Sequence, residues 1–224
     1  MLFTGFGDGT FRFLRDLERH NDKAWFQDHR SVYEEEVLEP GMAFIEAIGP
    51  VLAKFSPRVR AEPKVGGSMM RINRDIRFSK DKRPYKNHLD MMFRVGPAKT
   101  SPGYWFRLRS NELILGAGMH TLDRPELERY RKAVDADGPG AELATIITKE
   151  QRAGYDVAGE HYKRVPAGFA PDHPREALLR HAGIYVGTDM EIPAEARTPR
   201  FPAFCAAHYK KMAPMIVWLS ANVA

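Results

Sequence analysis

The chain has 224 residues, of which 43% are hydrophobic and 28% charged, a composition typical of a globular protein with an apolar core. Its single cysteine excludes a disulfide framework and a cysteine-rich zinc module. No apolar run approaches the roughly 20 residues that cross a bilayer, and the start of the chain has no signal-peptide pattern. We therefore expect a cytoplasmic protein that has no membrane partner.

An N-terminal helical layer is predicted over residues 8–55. The first helix covers residues 8–21, and a second begins at the N-cap Asp22 and runs to Val37. Pro40 is expected to interrupt the helical pattern before a third helix. An apolar stripe from Met42 to Phe55 marks that helix, which Gly49 and Pro50 are expected to kink or shorten.

The pattern then changes to alternating apolar and polar positions, which predicts half-buried strands over 88–95, 104–109 and 112–120. Short connections between them allow an antiparallel meander. A further strand over 68–73 is predicted, with Met70 and Ile72 inward. The polar side of the meander is predicted to carry His88, Asp90, Arg94, Arg107, Arg109, Glu112 and His120.

The C-terminal half predicts further helices and short strands. Asp123 with Glu126 three residues later marks a helix start, and the GPG sequence at 138–140 is expected to separate this helix from the next. A strand pair is predicted around Gly159, and a final helix runs from about residue 200. This order predicts an α+β fold, an antiparallel β-meander packed against N-terminal and C-terminal helices, as a single domain over residues 1–224.

The net charge of the chain is concentrated in one segment. Residues 71–86 contain seven basic and two acidic residues, and this excess of five equals the net charge of +5. Arginine presents a planar fork of donors to phosphate or carboxylate, so the basic loop 71–88 is a candidate anion site. The alternative is a structural clamp onto acidic helix faces such as residues 34–36. The candidate anion-binding residues are Arg71, Arg74, Arg77, Lys80, Lys82, Arg83, Lys86, Arg107 and Arg109.

Three stretches carry a family resemblance: NDKAWFQDHRSVYEEEVLEP near the N-terminus, RINRDIRFSKDKRPYKNH in the centre, and HYKRVPAGF followed by HPREALLRH. They resemble the domain of unknown function 2461 family, a group of mostly bacterial conserved hypothetical proteins. The resemblance covers nearly the whole chain and implies a single whole-chain domain. It assigns no activity, substrate or cofactor, and it transfers no catalytic role to any residue.

The polar face of the sheet is the second candidate site. His88, Asp90 and His120 are candidate catalytic residues, as a general acid/base pair or as metal ligands. No HxH, HExxH or CxxC spacing is present, so no metal is predicted. The dinucleotide, P-loop and hydrolase-elbow motifs are absent from the sequence as well, so no cofactor is predicted. Cys205 lies in an apolar helical stripe and is predicted to be a buried small hydrophobe.

Three functional interpretations remain open. The favoured one is a protein that binds a compact phosphate- or carboxylate-bearing ligand through the basic loop 71–88, because the basic excess is confined to one short segment. The first alternative is an enzyme that acts on an anionic substrate at the polar face of the sheet. The second is a nucleic-acid-binding or purely structural basic loop. The sequence does not assign an oligomeric state.

Overall fold

A computed structural model of the chain describes residues 2–224. Its N-terminal part is helical, as predicted. The helices are α1 (Asp8–Arg19), α2 (Lys23–Asp28), α3 (Arg30–Tyr33) and α4 (Glu39–Ala53), with a π-helical turn at Glu34–Leu38. The Asp22 side chain accepts a hydrogen bond of 3.0 Å from the Trp25 N–H, which confirms the predicted N-cap.

Pro40 does not interrupt the helical layer, so that prediction is wrong. It lies in the first turn of α4, where the N–H that proline lacks would have no intrahelical partner. The π-helical turn leads the chain into α4 without a break, and the Glu39 N–H donates to the Glu34 carbonyl. Pro50 lies inside α4, which continues to Ala53.

Six strands form one sheet in the order β1-β2-β3-β4-β6-β5. They are β1 (Val59–Arg60), β2 (Leu89–Val95), β3 (Gly103–Leu108), β4 (Glu112–Met119), β5 (Asp156–Glu160) and β6 (His181–Glu191). The predicted meander is β2, β3 and β4. Alternate residues of it are buried as predicted, including Met91, Phe106 and Leu115. The α+β class, with an antiparallel sheet and helices toward both ends of the chain, is confirmed.

The segment before β2 pairs with it, but the predicted alternation over 68–73 holds only in part: Arg71 and Asn73 are exposed as expected, whereas Met69, expected outward, is buried. The Met70 N–H donates to the Asp90 carbonyl at 2.9 Å. Met69 is fully buried, whereas Met70 and Ile72 are only half-buried. A Cβ at Gly41 of α4 would lie 2.4 Å from Met69 Cε, so the glycine makes room for this inward methionine.

The C-terminal half contains α5 (Arg124–Asp135), α6 (Asp137–Arg152), α7 (Glu176–Leu179), a 3₁₀ turn (Ala194–Arg197) and α8 (Phe201–Asn222). The predicted capping box at Asp123 and Glu126 is confirmed. Two other predictions are wrong. The GPG sequence lies in the first turn of α6 and does not precede it. Strand β5 does not form a local pair around Gly159, because it pairs antiparallel with β6.

The chain divides into two compact units, each assembled from three segments. The first unit comprises Met1–Phe93, Trp105–Leu115 and Asp189–His208, and the second comprises Arg94–Tyr104, Gly116–Thr188 and Tyr209–Ala224. The core of the first unit contains a cluster of aromatic rings from Phe6, Phe44, Phe106 and Phe201. In the second unit Tyr104 packs on Tyr209, and Tyr130 on Trp218. The expectation of a single domain stays a prediction.

Within residues 2–224 no helix has both the length and the apolar character that a bilayer crossing requires. Cys205 in α8 is fully buried, as predicted, and burial raises the pKa of its thiol well above the ordinary value. A buried thiol with a raised pKa is a poor nucleophile. Cys205 therefore belongs to the core.

Candidate functional site

Residues 71–88 form a hairpin, which we call the basic hairpin. The Lys86 N–H donates to the Ile72 carbonyl and the Arg74 N–H donates to the Pro84 carbonyl, both at 2.8 Å. Asn73 and Tyr85 form an antiparallel bridge between the same two arms. The second arm leads directly into β2, so the hairpin tip, residues 75–83, is supported by the sheet.

The helical layer holds the basic hairpin at Tyr85. The Asn21 side chain donates to the Tyr85 carbonyl and accepts from the Tyr85 N–H, both at 3.0 Å, so its amide acts like a strand neighbour. The Phe26 ring stacks on the Tyr85 ring with centroids 4.1 Å apart. These two contacts are made by a neutral amide and an aromatic ring, whereas Glu34 of the suggested acidic face pairs with Arg30.

Two of the tip arginines are held by aspartates two positions earlier. Arg77 donates to both carboxylate oxygens of Asp75, at 3.0 and 2.7 Å. Arg83 makes the same paired contact with Asp81, and in each case the arginine backbone N–H also donates to the carboxylate. Hydrogen bonds from the arginine side chains lower the pKa of each aspartate. Both pairs are exposed to solvent.

Arg74 of the first arm of the hairpin contacts the opposite side of the tip, at residues 81 and 83. Its Nη1 lies 2.9 Å from both the Arg83 carbonyl and Asp81 Oδ2. The Lys82 ammonium donates to the Ile76 carbonyl at 3.0 Å. Arg74 and Lys82 are two of the predicted anion-binding residues, and both bind atoms of the hairpin itself. These contacts therefore stabilise the conformation of the hairpin.

The outer surface of the tip combines positive charge with one exposed aromatic ring. Phe78 is 94% exposed, and the Arg77 guanidinium lies 5.8 Å from the centre of its ring. Arg71 and Lys80 are also exposed. Single exposed apolar side chains are common on protein surfaces, so the Phe78 ring is accessible to another molecule but does not by itself mark a contact surface.

Three cationic or ionisable side chains converge on Asp90 at the base of the hairpin, a group that we call the Asp90 cluster. Arg107 of β3 donates to Asp90 Oδ1 at 2.7 Å and to Oδ2 at 3.3 Å. The Lys86 ammonium and His88 Nε2 each lie 3.2 Å from Oδ2. Hairpin and sheet face thus meet at this carboxylate.

The environment of Asp90 keeps it ionised. Its carboxylate is buried, and burial alone would raise its pKa. Hydrogen bonds from His88 and Arg107, together with their charges, outweigh burial and hold the pKa of Asp90 well below its usual range. A buried carboxylate that is fully paired in this way orients the side chains around it.

His88 has no ring nitrogen aimed at open space. Its Nε2 faces Asp90, and its Nδ1 lies 3.1 Å from the Asn87 side-chain oxygen. A general base must reach a substrate proton, so this arrangement favours His88 as a holder of Asp90. His120 belongs to the second unit, where its exposed ring lies 5.1 Å from the Tyr185 ring.

The other polar side chains of the sheet make local contacts. Arg109 Nη1 donates to Glu112 at 3.0 Å, and the Arg94 Nε donates to the Lys99 carbonyl at 2.8 Å. In β4, Gly118 has a φ of +141°, and a Cβ there would lie 2.4 Å from the Ile184 carbonyl oxygen. This glycine therefore marks the close approach of a neighbouring strand.

The sequence predicted His88 and Asp90 as a pair on one strand face, but it did not place Lys86 and Arg107 at the same carboxylate, and it gave no sign of the hairpin anchor at Asn21. The Lys86 and Asp90 spacing alone does not bring them together in an extended chain. Within residues 2–224 no three His, Cys, Asp or Glu side chains are grouped to hold a metal ion. The site is therefore defined by cations around one carboxylate.

A family model described as a conserved hypothetical protein, DUF2461, matches residues 9–218. The chain therefore belongs to the domain of unknown function 2461 family, as its three sequence stretches predicted. A comparison with curated proteins found none that matches the chain. Family membership covers both units and assigns no activity to the hairpin or the sheet.

Proposed function

We propose that this protein binds a compact phosphate- or carboxylate-bearing ligand at the base of the basic hairpin, through Lys86 and Arg107. The observation that carries the proposal is the charge balance of the Asp90 cluster. One carboxylate faces two permanent cations and a histidine, so at least one positive charge is unmatched. An incoming anion supplies the missing negative charge.

The two cations are positioned to bind and remain accessible. The side chains of Arg107 and Lys86 are 37% and 22% exposed, whereas that of Asp90 is 9% exposed. Because Asp90 already holds Arg107 by two hydrogen bonds, the guanidinium loses little conformational entropy when a ligand arrives. Arg71 and Lys80 add positive potential on the exposed hairpin.

Isothermal titration calorimetry with inorganic phosphate, pyrophosphate, citrate and adenosine monophosphate tests this proposal. Lys86→Gln and Arg107→Gln should each weaken the best of these probes about tenfold or more, the value of a charged hydrogen bond. Arg12→Gln, which removes an exposed positive charge from α1, is the matched control. Equal weakening by the control, or no saturable binding of any probe, contradicts the proposal. A lower melting temperature with unchanged affinity identifies the hairpin as architecture instead.

The exposed Phe78 favours a second candidate function, the binding of single-stranded nucleic acid by the hairpin tip. Nucleic-acid bases stack on exposed aromatic rings while lysine and arginine contact the phosphates. Phe78 stands between Arg77 and Lys80 in the chain, so ring and charge are adjacent.

Salt-dependent fluorescence anisotropy with a labelled oligothymidylate separates base stacking on Phe78 from phosphate contacts by the lysine and arginine side chains. Phe78→Ala should weaken binding by about 1–3 kcal/mol without changing the salt slope, because the ring carries no charge. Lys80→Gln should reduce the slope of log K against log salt by roughly 0.7, the value for one lost phosphate contact on a single strand. An affinity that does not depend on either residue contradicts this second function.

We also infer a cytoplasmic location in a bacterial cell. The sequence contains one cysteine, and it is buried and unpaired. Proteins of oxidising compartments commonly use disulfides, so this usage fits a reducing compartment. Localisation of a fluorescent fusion by microscopy tests the inference, and an exported fusion would overturn it.

A further inference from the structure

The segment 161–180 connects β5 to β6 and forms a cleft in the second unit. The N–H groups of His161 and Tyr162 donate to the Arg180 carbonyl at 3.1 and 3.0 Å and close the base of this segment. The cleft has a volume of about 430 Å³, within the range of small-molecule sites. Its lining includes Lys163, Arg164, Val165, Pro166, Phe169 and Arg180.

The lining has a charged part and an apolar part. Lys163 and Arg164 are exposed, and no ion pair within residues 2–224 engages either of them. Val165, Pro166 and Phe169 are half-buried and form an apolar wall. A ligand that matches both parts carries a negative group on an apolar body.

The charges around the cleft indicate the charge of that ligand. Arg180 Nε lies 3.0 Å from a carboxylate oxygen of Glu160, and Glu176 also lines the cleft. Three cations therefore face two carboxylates, which leaves one positive charge unmatched. Arg180 Nε is buried and finds no hydrogen-bond acceptor with good geometry within residues 2–224, so its contact with Glu160 is ionic.

We propose that this cleft binds a small monocarboxylate with an aromatic or aliphatic body. The carboxylate contacts Lys163 and Arg164, and the body packs against Phe169 and Pro166. Pro166 and Pro171 restrict the backbone of the lining, which lowers the entropy cost of ordering it around a ligand. This site belongs to the second unit and uses none of the residues of the Asp90 cluster.

Three probes separate the charge from the apolar body. 2-Naphthoate carries both, acetate carries only the carboxylate, and 2-naphthol carries only the body. Titrations should compare the parent chain with the Arg107→Gln variant, in which an anion bound at the Asp90 cluster contributes less than in the parent. We expect 2-naphthoate to bind at one site and at least about tenfold more tightly than either partial probe.

Matched variants locate the site. Lys163→Gln combined with Arg164→Gln should weaken 2-naphthoate about tenfold or more and leave the melting temperature unchanged, since both side chains are exposed. Lys149→Gln combined with Arg152→Gln removes the same charge from the exposed face of α6 and should leave affinity unchanged. Phe169→Leu should weaken 2-naphthoate more than acetate.

Three results would overturn the proposal. The first is an equal loss of affinity in the α6 control, which shows general attraction of anions. The second is unchanged 2-naphthoate binding in the Lys163 and Arg164 double variant. The third is the absence of saturable binding by the folded protein. If Phe169→Leu fails to fold, the exposed double variant still decides the outcome.

Discussion

The two units each contain a buried carboxylate, and their pKa values shift in opposite directions. Asp90 in the first unit is 8% exposed, and its pKa lies well below the usual range. Glu150 in α6 of the second unit is 4% exposed, and burial raises its pKa to about 7. Burial opposes ionisation at both positions, so the difference comes from the groups around each carboxylate.

Asp90 is surrounded by Lys86, His88 and Arg107, whereas Glu150 Oε2 is buried and accepts no hydrogen bond within residues 2–224. Partners, not burial, decide which of the two stays charged. The same partners leave the Asp90 cluster with an excess of positive charge. A local excess of oriented cations, rather than a perturbed pKa, is therefore what marks the candidate binding site.

Of the substitutions that we consider, removal of the Asp90 charge should lower the free energy of unfolding most. Asp90→Asn leaves Lys86 and Arg107 close together without their carboxylate, and breaking a buried ion pair commonly costs several kcal/mol. We expect a loss of about 3 kcal/mol, at the lower end because Arg107 is 37% exposed. Urea unfolding at pH 7 measures it, and a variant as stable as the parent chain would contradict the account of the cluster.

The pH dependence of that loss has a defined sign. The folded-state pKa of Asp90 lies below its ordinary value of 3.8, so its contribution to stability is present above that value. It disappears as the pH falls from 3.8 toward the lower folded-state pKa. The parent and Asp90→Asn proteins should therefore converge in stability at acid pH.

Glu150→Gln should raise the stability of the protein, whereas Asp90→Asn lowers it, and the change should be smaller. Between pH 4.5 and about 7 the unfolded chain loses the Glu150 proton while the folded chain keeps it, so stability falls as the pH rises. The variant removes this penalty. Allowing for solvent screening, we expect it to be more stable than the parent by about 1–2 kcal/mol at pH 8 and equally stable near pH 4. Urea unfolding at both pH values checks this, and destabilisation at pH 8 would reverse the comparison.

Loss of the hairpin anchor at Asn21 should lower stability by less than Asp90→Asn does, and it should act mainly on the hairpin. Asn21→Ala removes both hydrogen bonds between its side chain and the Tyr85 backbone. We expect a loss of about 1 kcal/mol and faster amide exchange in residues 75–83, because the hairpin loses its tie to the helical layer. Asp123→Ala, which removes the N-cap of α5 in the second unit, is the control: it should loosen α5 and leave exchange at the hairpin tip unchanged.

Much of the fold could be predicted from the sequence because the spacing of the apolar residues distinguishes helices from strands. Leu89 and Phe93 alternate with polar neighbours, and both are buried as expected. The inward position of Met69 could not be predicted, because adjacent methionines fit either parity and the choice depends on the space at Gly41. Pro40 misled the prediction because the π-helical turn before it is not visible in composition.

The candidate site was predictable in its residue types but not in its geometry. Arg107 reaches Asp90 across 17 positions of the chain, and that contact requires the pairing of β2 with β3. The tip pairs, in contrast, join residues two apart, such as Asp81 and Arg83. Local pairs follow from spacing, whereas the Asp90 cluster depends on strand register.

The smallest effect is expected at the hairpin tip, where Asp81 has paired arginine contacts but no burial. A hydrogen bond from the Arg83 side chain lowers the pKa of Asp81, yet both side chains are exposed and exchange this contact for water on unfolding. Asp81→Asn should leave the melting temperature unchanged, and Asp75→Asn should behave alike. High salt should raise the pKa of Asp81 in a carboxyl-carbon NMR titration and leave that of Asp90 low, because salt screens exposed pairs far more than buried ones. A loss of stability at Asp81 as large as that at Asp90 would mean that paired geometry, and not burial, sets the strength of these ion pairs.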